Sequence, residues 1–344
     1  MTYWFGQEKI KDIVMLNYSI IIPHRDIPQL LQRCLDSIPQ RPDLEVIVVD
    51  DNSNPEVVDF DHFPGMERPN TTVIFDKSGK GAGRVRNIGL EYAKGKWLLF
   101  ADADDFFNYC LNDVLDEYAD NDSDIIFFRI SSVDSVYYVN SDRDVFYNAY
   151  FEEYLDNRIE GEKQLRYVSG VPWGKLVRRE MVTSKNIKFQ ETTIHNDTKF
   201  GYLTGYYANN IAVDLRAIYC LTYRQDSISY TMTEEKILDR VRVVAERERF
   251  LVDHNLYPAF THFNRDIIEN LISLRRDENN GLYDKCMKIF SDFSFPNIMI
   301  EEIIEKRVLQ IRNKNKRQFV DAFLNKIKKK LFNPFRSLLY ALFS

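Results

Sequence analysis

The stretch Trp97-Leu98-Leu99-Phe100-Ala101, followed at once by Asp102-Ala103-Asp104-Asp105, decides how this chain is read. Five apolar residues bounded by Gly95 and Lys96 predict a strand buried on both faces. The three acids at its carboxyl end repel one another unless something positive sits among them. In an open parallel sheet that end is also where ligands bind. A hard divalent cation that keeps part of its water shell and grips a diphosphate meets both conditions. A solvated acidic turn capping the next helix is the other reading, since Asp is a good N-cap. The flanking segments separate the two.

Upstream, Tyr18 to Ile22 reads as a strand that stops at Pro23. Gln29 to Ser37 reads as a helix with Leu30, Leu31, Cys34, Leu35 and Ile38 on one face. Glu45 to Val49 is a second strand running into Asp50-Asp51, and Thr72 to Phe75 a third. Arg84 to Ala93 forms a helix after a Gly-rich turn, and Asp124 to Arg129 a fifth strand beyond the acid cluster. Short β-branched runs alternating with helical patterns predict an α/β fold, a doubly wound, mostly parallel sheet with helices on both faces. The pattern loosens from Val168 to Tyr230, with strands expected at 211–213 and 217–223. After Thr233 it becomes helical, over 234–253, about 260–274 and 297–312. A boundary is expected near residue 231, giving a sheet domain over 1–231, a helical region over 232–315 and a basic tail over 316–344.

Composition narrows the class. At 344 residues with 44% hydrophobic and 14% aromatic content, the chain has ample material for a core. Cys34, Cys110, Cys220 and Cys286 lie far apart with no CxxC pair, which argues against a zinc site or a disulfide framework and fits a reducing cytoplasm. Met1 to Asn17 lacks the basic start and apolar run of a signal peptide, and no window reaches the roughly 18–20 apolar residues of a spanning helix. The net charge of −6 conceals an asymmetry: Lys306 to Ser344 holds 11 Lys and Arg against the single acid Asp321. An acidic body with a basic tail predicts that the tail meets an anionic surface, with no nucleic acid called for.

Four strand ends bring polar groups to one edge of the sheet. They are Pro23-His24-Arg25-Asp26, Asp50-Asp51-Asn52-Ser53, the loop from Lys77 to Arg84, and the acid cluster. Glycines 79, 81 and 83 allow close backbone approach, while Lys80, Arg84 and Arg86 supply charge for phosphates. Acids that can hold a base, a ribose and a metal stand beside bases that can hold a diphosphate, which is a nucleotide-sugar site in outline. The glycines also suggest a dinucleotide turn, but Arg84 stands where the third Gly belongs, and the loop follows a later strand.

Several ordered segments resemble the family 2 glycosyltransferases of the GT-A fold. They are Ser19 to Pro23, Leu35 to Ile38, Val48 to Ser53, Arg86 to Leu90, Ala93 to Gly95, and Phe100 to Asp105. The likeness resumes at Trp173 to Glu180, at Phe189 to Phe200, and at Tyr223-Arg224 with Ser227 and Ser229. It implies a metal-dependent, inverting transfer from a nucleotide-sugar, with a UDP-sugar favoured. Pro23 and Asp51 are then expected at the nucleobase, with Arg25, Lys80 and Arg86 on the donor side. Asp102 is expected toward the ribose, and Asp104 on a bridging Mg²⁺ or Mn²⁺. Asp105 is expected to orient Arg86 and the loop. The family pattern has Glu-Asp before an apolar residue two places on, its Asp being the catalytic base; here the stretch is Asn196-Asp197-Thr198-Lys199-Phe200. Asp197 keeps the base position and Asn196 replaces the acid beside it. His195 is either a second base or a surface residue. Trp173 and Lys175 are expected at the acceptor, or Trp173 in the core. Arg224 either reaches a phosphate or pairs with an acid.

Chemistry asks for such an Asp independently, because an attacking sugar hydroxyl must lose its proton as the new bond forms. In the tail, Phe319, Phe323, Leu324, Ile327 and Leu331 recur at helical spacing opposite a run of lysines. That suits an interfacial anchor on the inner face of the cell membrane; taken with the family resemblance, it implies a lipid-linked glycan acceptor of a surface polysaccharide such as capsule or O-antigen. Docking of the tail on the protein's own acidic body is the alternative. A sugar-phosphate nucleotidyltransferase and a non-catalytic nucleotide-sugar-binding subunit are the competing functions.

Overall fold

The computed structural model describes residues 15–223, 233–262, 265–276 and 281–314. Among them, eight strands form one sheet. They are β1 (Tyr18–His24), β2 (Leu44–Asp51), β3 (Thr71–Asp76), β4 (Trp97–Phe100), β5 (Phe106–Phe107), β6 (Ile125–Asp134), β7 (Lys175–Arg178) and β8 (Ile211–Tyr223). Their spatial order is β3-β2-β1-β4-β7-β6-β8-β5. The pairs β1–β2, β2–β3, β1–β4 and β6–β8 are parallel. β7 lies antiparallel between β4 and β6, and β5 antiparallel on β8. The sheet is therefore mostly parallel, as the alternating runs predict, with an antiparallel insertion that no local pattern announces.

β1 and β4 sit side by side at the middle of the sheet, and their apolar runs are fully enclosed. Ile20, Ile21 and Ile22 are buried, as are Trp97 through Ala101. Strands covered on both faces need continuous apolar runs, which is what these two segments supply. The strand order reverses direction at β1, with β2 on one side and β4 on the other. At such a switch point the connections leave in opposite directions and a crevice opens at the carboxyl ends.

The helices in this first part are α1 (Pro28–Asp36), α2 (Ala82–Tyr92), α3 (Leu111–Tyr118), α4 (Val145–Asp156), α5 (Arg158–Tyr167), α6 (Arg179–Ser184) and α7 (Thr198–Tyr207). Then follow α8 (Glu234–Asp253), α9 (Arg265–Arg276), α10 (Leu282–Asp292) and a helix over 297–314, here α11. The helical end has its own apolar cluster, including Val241, Ala245, Ile267, Leu271, Cys286, Phe290 and Ile300. Tyr202 and Tyr206 of α7 meet Phe250 of α8 at ring-centroid distances of 4.7 and 5.2 Å, which joins the two parts.

Three expectations change in detail. The strands expected at 211–213 and 217–223 are one strand of 13 residues, whose pairing with β6 shifts register around Arg129. The helix expected from about residue 260 starts at Arg265, because a turn follows Pro258 and Phe260 takes a left-handed φ of 61°. α10 was not expected. The boundary near 231 and the 316–344 tail lie outside the described residues. No helix among those described is long and apolar enough to cross a membrane.

Candidate active site

The ends of β1 and β2 are tied together by a buried knot. His24 donates from Nδ1 to Asp50 Oδ2 at 2.8 Å and accepts at Nε2 from the Ile27 amide at 3.2 Å. Asp50 also accepts from the Ser53 amide at 3.0 Å and its hydroxyl at 2.5 Å. Burial works to raise the Asp50 carboxyl, but the bonds from His24 and Ser53 outweigh it and hold the group below the usual range. The knot leaves the next residue, Asp51, to the cleft. Asp51 accepts from the Gly81 amide at 3.0 and 3.1 Å, and the Arg25 guanidinium lies 3.6 Å away. Gly81 takes a φ of 88°, a conformation that side chains resist. For Asp51 burial prevails and pushes the carboxyl up.

The three acids after β4 diverge. Asp102 accepts at Oδ1 from Arg86 Nη2 at 2.5 Å and faces the cleft. Asp104 also lines the cleft, and its backbone carbonyl accepts from the Arg33 guanidinium and, at 2.5 Å, from the Thr222 hydroxyl. Asp105 turns into the core, 4% exposed, and accepts from the Thr222 amide at 2.7 Å and the Tyr219 hydroxyl at 2.9 Å. Burial, reinforced by the charges of Asp104 and Asp102, pushes its carboxyl well above the usual range. The expectation that Asp105 orients Arg86 is therefore corrected. β8 supplies both partners of Asp105, and Arg86 engages Asp102 and Asn196 instead.

Arg86 is the hinge of the site. It is 5% exposed, and it donates from Nη1 to Asn196 Oδ1 at 2.7 Å while holding Asp102 with Nη2. Asn196, standing where the family pattern has an acid, accepts from Arg86 without adding a second negative charge. Its neighbour Asp197 precedes α7. Burial pushes the Asp197 carboxyl above the usual range; Asp102 adds to that, while Arg86 and Lys175 oppose it. His195 adopts a left-handed φ of 53°, which turns the loop just before Asn196 and Asp197.

Two adjoining hollows form the cleft. One, of about 380 Å³, is lined by Pro23, Arg25, Asp51, Arg86, Asp102 and Asp104 among others. The other, of about 330 Å³, has His195, Asn196, Asp197 and Arg240 on its walls. They share Ala82, Arg86, Asp102, Thr193 and Asn196, so Arg86 stands between two halves of one depression. A larger hollow of about 720 Å³ lies between the end of α1 and the 61–69 loop, away from the acid cluster.

Other expected residues fall elsewhere. Lys80 is exposed on the loop before α2 and is not part of the lining. Trp173 is 8% exposed, with Tyr219 stacked on its ring at 5.6 Å and Tyr147 tilted against it at 5.2 Å, so no open aromatic face is left for a sugar. Lys175 is buried, donates to the Ser169 carbonyl at 3.0 Å and lies 5.1 Å from the Phe127 ring centroid. Trp173 thus takes the core reading of its two, and Lys175 is enclosed rather than open to an acceptor. Arg224, Ser227 and Ser229 lie outside the described residues. The sequence reading missed Arg33, Thr222 and Tyr219, which anchor the acid turn, Thr193 and Arg240 on the far wall, and Asp239, which binds Thr193. No local pattern marks them, because each acts across a long stretch of chain.

Residues 19–183 match the family described as glycosyl transferase family 2. The putative glycosyltransferase EpsH of Bacillus subtilis is 22% identical over 248 residues, which cover 69% of this chain and 70% of EpsH. The crystal structure of S. aureus TarS aligns with a TM-score of 0.57 at 21% identity, over 81% of this chain and 48% of that one. The chain thus spans about half the length of that TarS chain. TarS 1–349 in complex with UDP-GlcNAc gives a TM-score of 0.54 at 20% identity, over 81% of this chain and 90% of that one. At these identities the structural likeness speaks to the fold.

Proposed function

We propose, from the glycosyl transferase family 2 segment that this chain carries over residues 19–183, that the protein moves a sugar from a nucleoside-diphosphate donor to a glycan hydroxyl. A UDP-sugar is the favoured donor, and the anomeric centre inverts. The observation that supports this best is the bridge through Arg86, which joins the acid turn after β4 to the loop bearing Asp197. In this reading Pro23, Arg25 and Asp51 hold the nucleobase, and Asp102 the ribose. Arg86 and the exposed Lys80 attract the diphosphate. Asp197 accepts the proton of the attacking hydroxyl as its oxygen bonds to the anomeric carbon. The bond from that carbon to the diphosphate oxygen breaks, and its electron pair leaves with the nucleotide. Enclosure makes Asp197 a stronger base than a solvated carboxylate, which favours this step.

The donor set suits Mg²⁺ or Mn²⁺. Asp104 faces the cleft beside Asp102, one of whose oxygens is taken by Arg86. No group of three or more His, Cys, Asp or Glu side chains poised for a metal occurs among the described residues. One or two carboxylates, with water and diphosphate oxygens completing the shell, is the mode such cations use with nucleotides. Asp104 would hold the ion, which when bound neutralises charge on the departing diphosphate.

We assign this chemistry to residues 1–231, with 232–315 as a helical region and 316–344 as a membrane-associating tail. The acceptor is then a lipid-linked glycan at the inner face of the cell membrane, a placement supported by the tail's basic amphipathic pattern. The test is direct. Asp197→Ala should lower transfer by about 10²–10⁴-fold while UDP affinity stays within about twofold. Asp104→Ala should weaken Mn²⁺-dependent UDP binding by roughly tenfold or more. Calorimetry and nucleoside diphosphate release from a panel of sugar nucleotides provide the readouts, and unchanged behaviour in both variants refutes the site.

A further inference from the structure

Helix α8 lies beyond the 19–183 segment, yet it touches the Asp197 loop at both ends. Asp239 and Glu246 are seven residues apart, so they project from one face of the helix two turns apart. Asp239 is 9% exposed and accepts at Oδ2 from the Thr193 amide at 2.9 Å and the Thr193 hydroxyl at 2.8 Å. Its Oδ1 accepts from Arg242 on the same helix at 3.1 Å. Glu246 accepts from the Gln190 side-chain amide at 2.8 Å and from the Lys199 ammonium at 2.5 Å. Gln190 is in turn bound through its backbone amide to the Asn196 carbonyl at 2.9 Å. The segment 190–199, which contains Asn196 and Asp197, is therefore clamped at its start, middle and end by two carboxylates of one helix. On its other side it rests against Arg86.

We infer that Asp239 and Glu246 are positioning residues for Asp197, so that the helical region completes the acceptor half of the site. Loops carry reactive groups only as accurately as their supports allow, and a displacement of about 1 Å can cost on the order of 100-fold in rate. Without Asp239 and Glu246 the 190–199 segment would be free on the α8 side, held from α2 by the Arg86–Asn196 bond, the Arg84–Glu191 pair and contact with Gly83. The two acceptors on α8 remove that freedom from the side that Arg86 does not reach. Arg240, next to Asp239, lines the same half of the cleft, so the helix that fixes the loop also forms part of the wall. This inference rests on the proposed role of Asp197, but the clamp itself is a physical claim about the loop.

The experiment compares the full chain with Asp239→Ala, Asp239→Asn, Thr193→Val and the Asp239→Ala/Thr193→Val double variant. Amide hydrogen exchange of 190–198 reads the clamp without reference to turnover. Nucleoside diphosphate release from UDP-N-acetylglucosamine, and from other sugar nucleotides if that one is inert, reads the chemistry. Calorimetry with UDP and Mn²⁺ reads the donor side. Asp239→Ala should raise exchange in 190–198 at least about tenfold and lower kcat by about 10–100-fold. The donor KM and UDP affinity should stay within about twofold, and Asp239→Asn, which retains an acceptor oxygen, should recover most of the rate. The Thr193→Val loss should largely vanish once Asp239 is gone, because the two share one interaction. Unchanged exchange overturns the clamp, and so does a fall in UDP affinity parallel to kcat, which marks general damage. If the wild-type chain neither binds UDP nor turns over any donor, the catalytic reading fails while exchange still decides the clamp.

Discussion

Lys175 is buried, 4% exposed, and donates to the Ser169 carbonyl at 3.0 Å. Burial pushes its ammonium down to about 7 from the usual lysine range, with the charge of Asp197 pulling the other way. In the unfolded chain the same group stays protonated until near pH 10. Between about 7 and that range the unfolded state binds more protons, so folding gains stability as pH rises through this window and loses it as pH falls from about 10 to about 7. Lys175→Met should therefore stabilise the chain on the order of a few kcal/mol at pH 6, with the gain shrinking toward pH 10. Denaturant melts across that range check the sign. The same change removes a positive neighbour from Asp197, so the acid limb of the rate profile should move upward. A stability difference that grows with pH would refute this account.

At the scale of elements, α2 and the Asp197 loop approach at backbone distance. A Cβ on Gly83 would stand 1.9 Å from the Gln190 carbonyl oxygen and 3.0 Å from the Asn196 Cβ. Gly81, at the cap of the same helix, has open space around its missing Cβ but a φ of 88°. The two glycines are thus required for different reasons, one for room and the other for conformation. Gly81→Ala should cost about 1–2 kcal/mol through backbone strain while sparing loop position. Gly83→Ala should cost about 1–3 kcal/mol and also displace Asn196 and Asp197, lowering turnover disproportionately. Denaturant midpoints and kcat for the two variants separate the effects. Equal activity at equal stability would show that α2 does not set the loop.

For the whole molecule, charge and the two apolar clusters set the organisation. The sheet core runs from β1 to β8, a second cluster lies within α8 to α11, and Phe250 against Tyr202 and Tyr206 spans the seam. The basic tail over 316–344 lies outside the described residues, so its role rests on sequence pattern. A chain ending at residue 315 should lose flotation with phosphatidylglycerol vesicles while keeping UDP affinity. Binding of the full chain should weaken as salt rises past about 0.15 M. Flotation that persists after truncation would place the membrane contact elsewhere.

The parallel strands, the edge where their polar ends gather and the candidate donor-side acids could be read from the chain's local pattern. These are local matters: an enclosed strand needs a continuous apolar run, and a charged residue just past it emerges at the sheet's end. Asp51, Asp102 and Asp104 end or follow such runs and line the cleft, and Arg86 reaches it from α2 after the Gly-rich loop. Which acid turns inward depends on long-range packing. Asp105 is claimed by Tyr219 and Thr222, more than a hundred residues further on. Trp173 and Lys175 precede or begin β7, whose antiparallel insertion between β4 and β6 buries them. The clamp on the Asp197 loop comes from α8, where Asp239 and Glu246 look like ordinary acids of a charged helix. Hydrogen bonds between distant segments depend on strand order and packing, and neither is written in any short window of the chain.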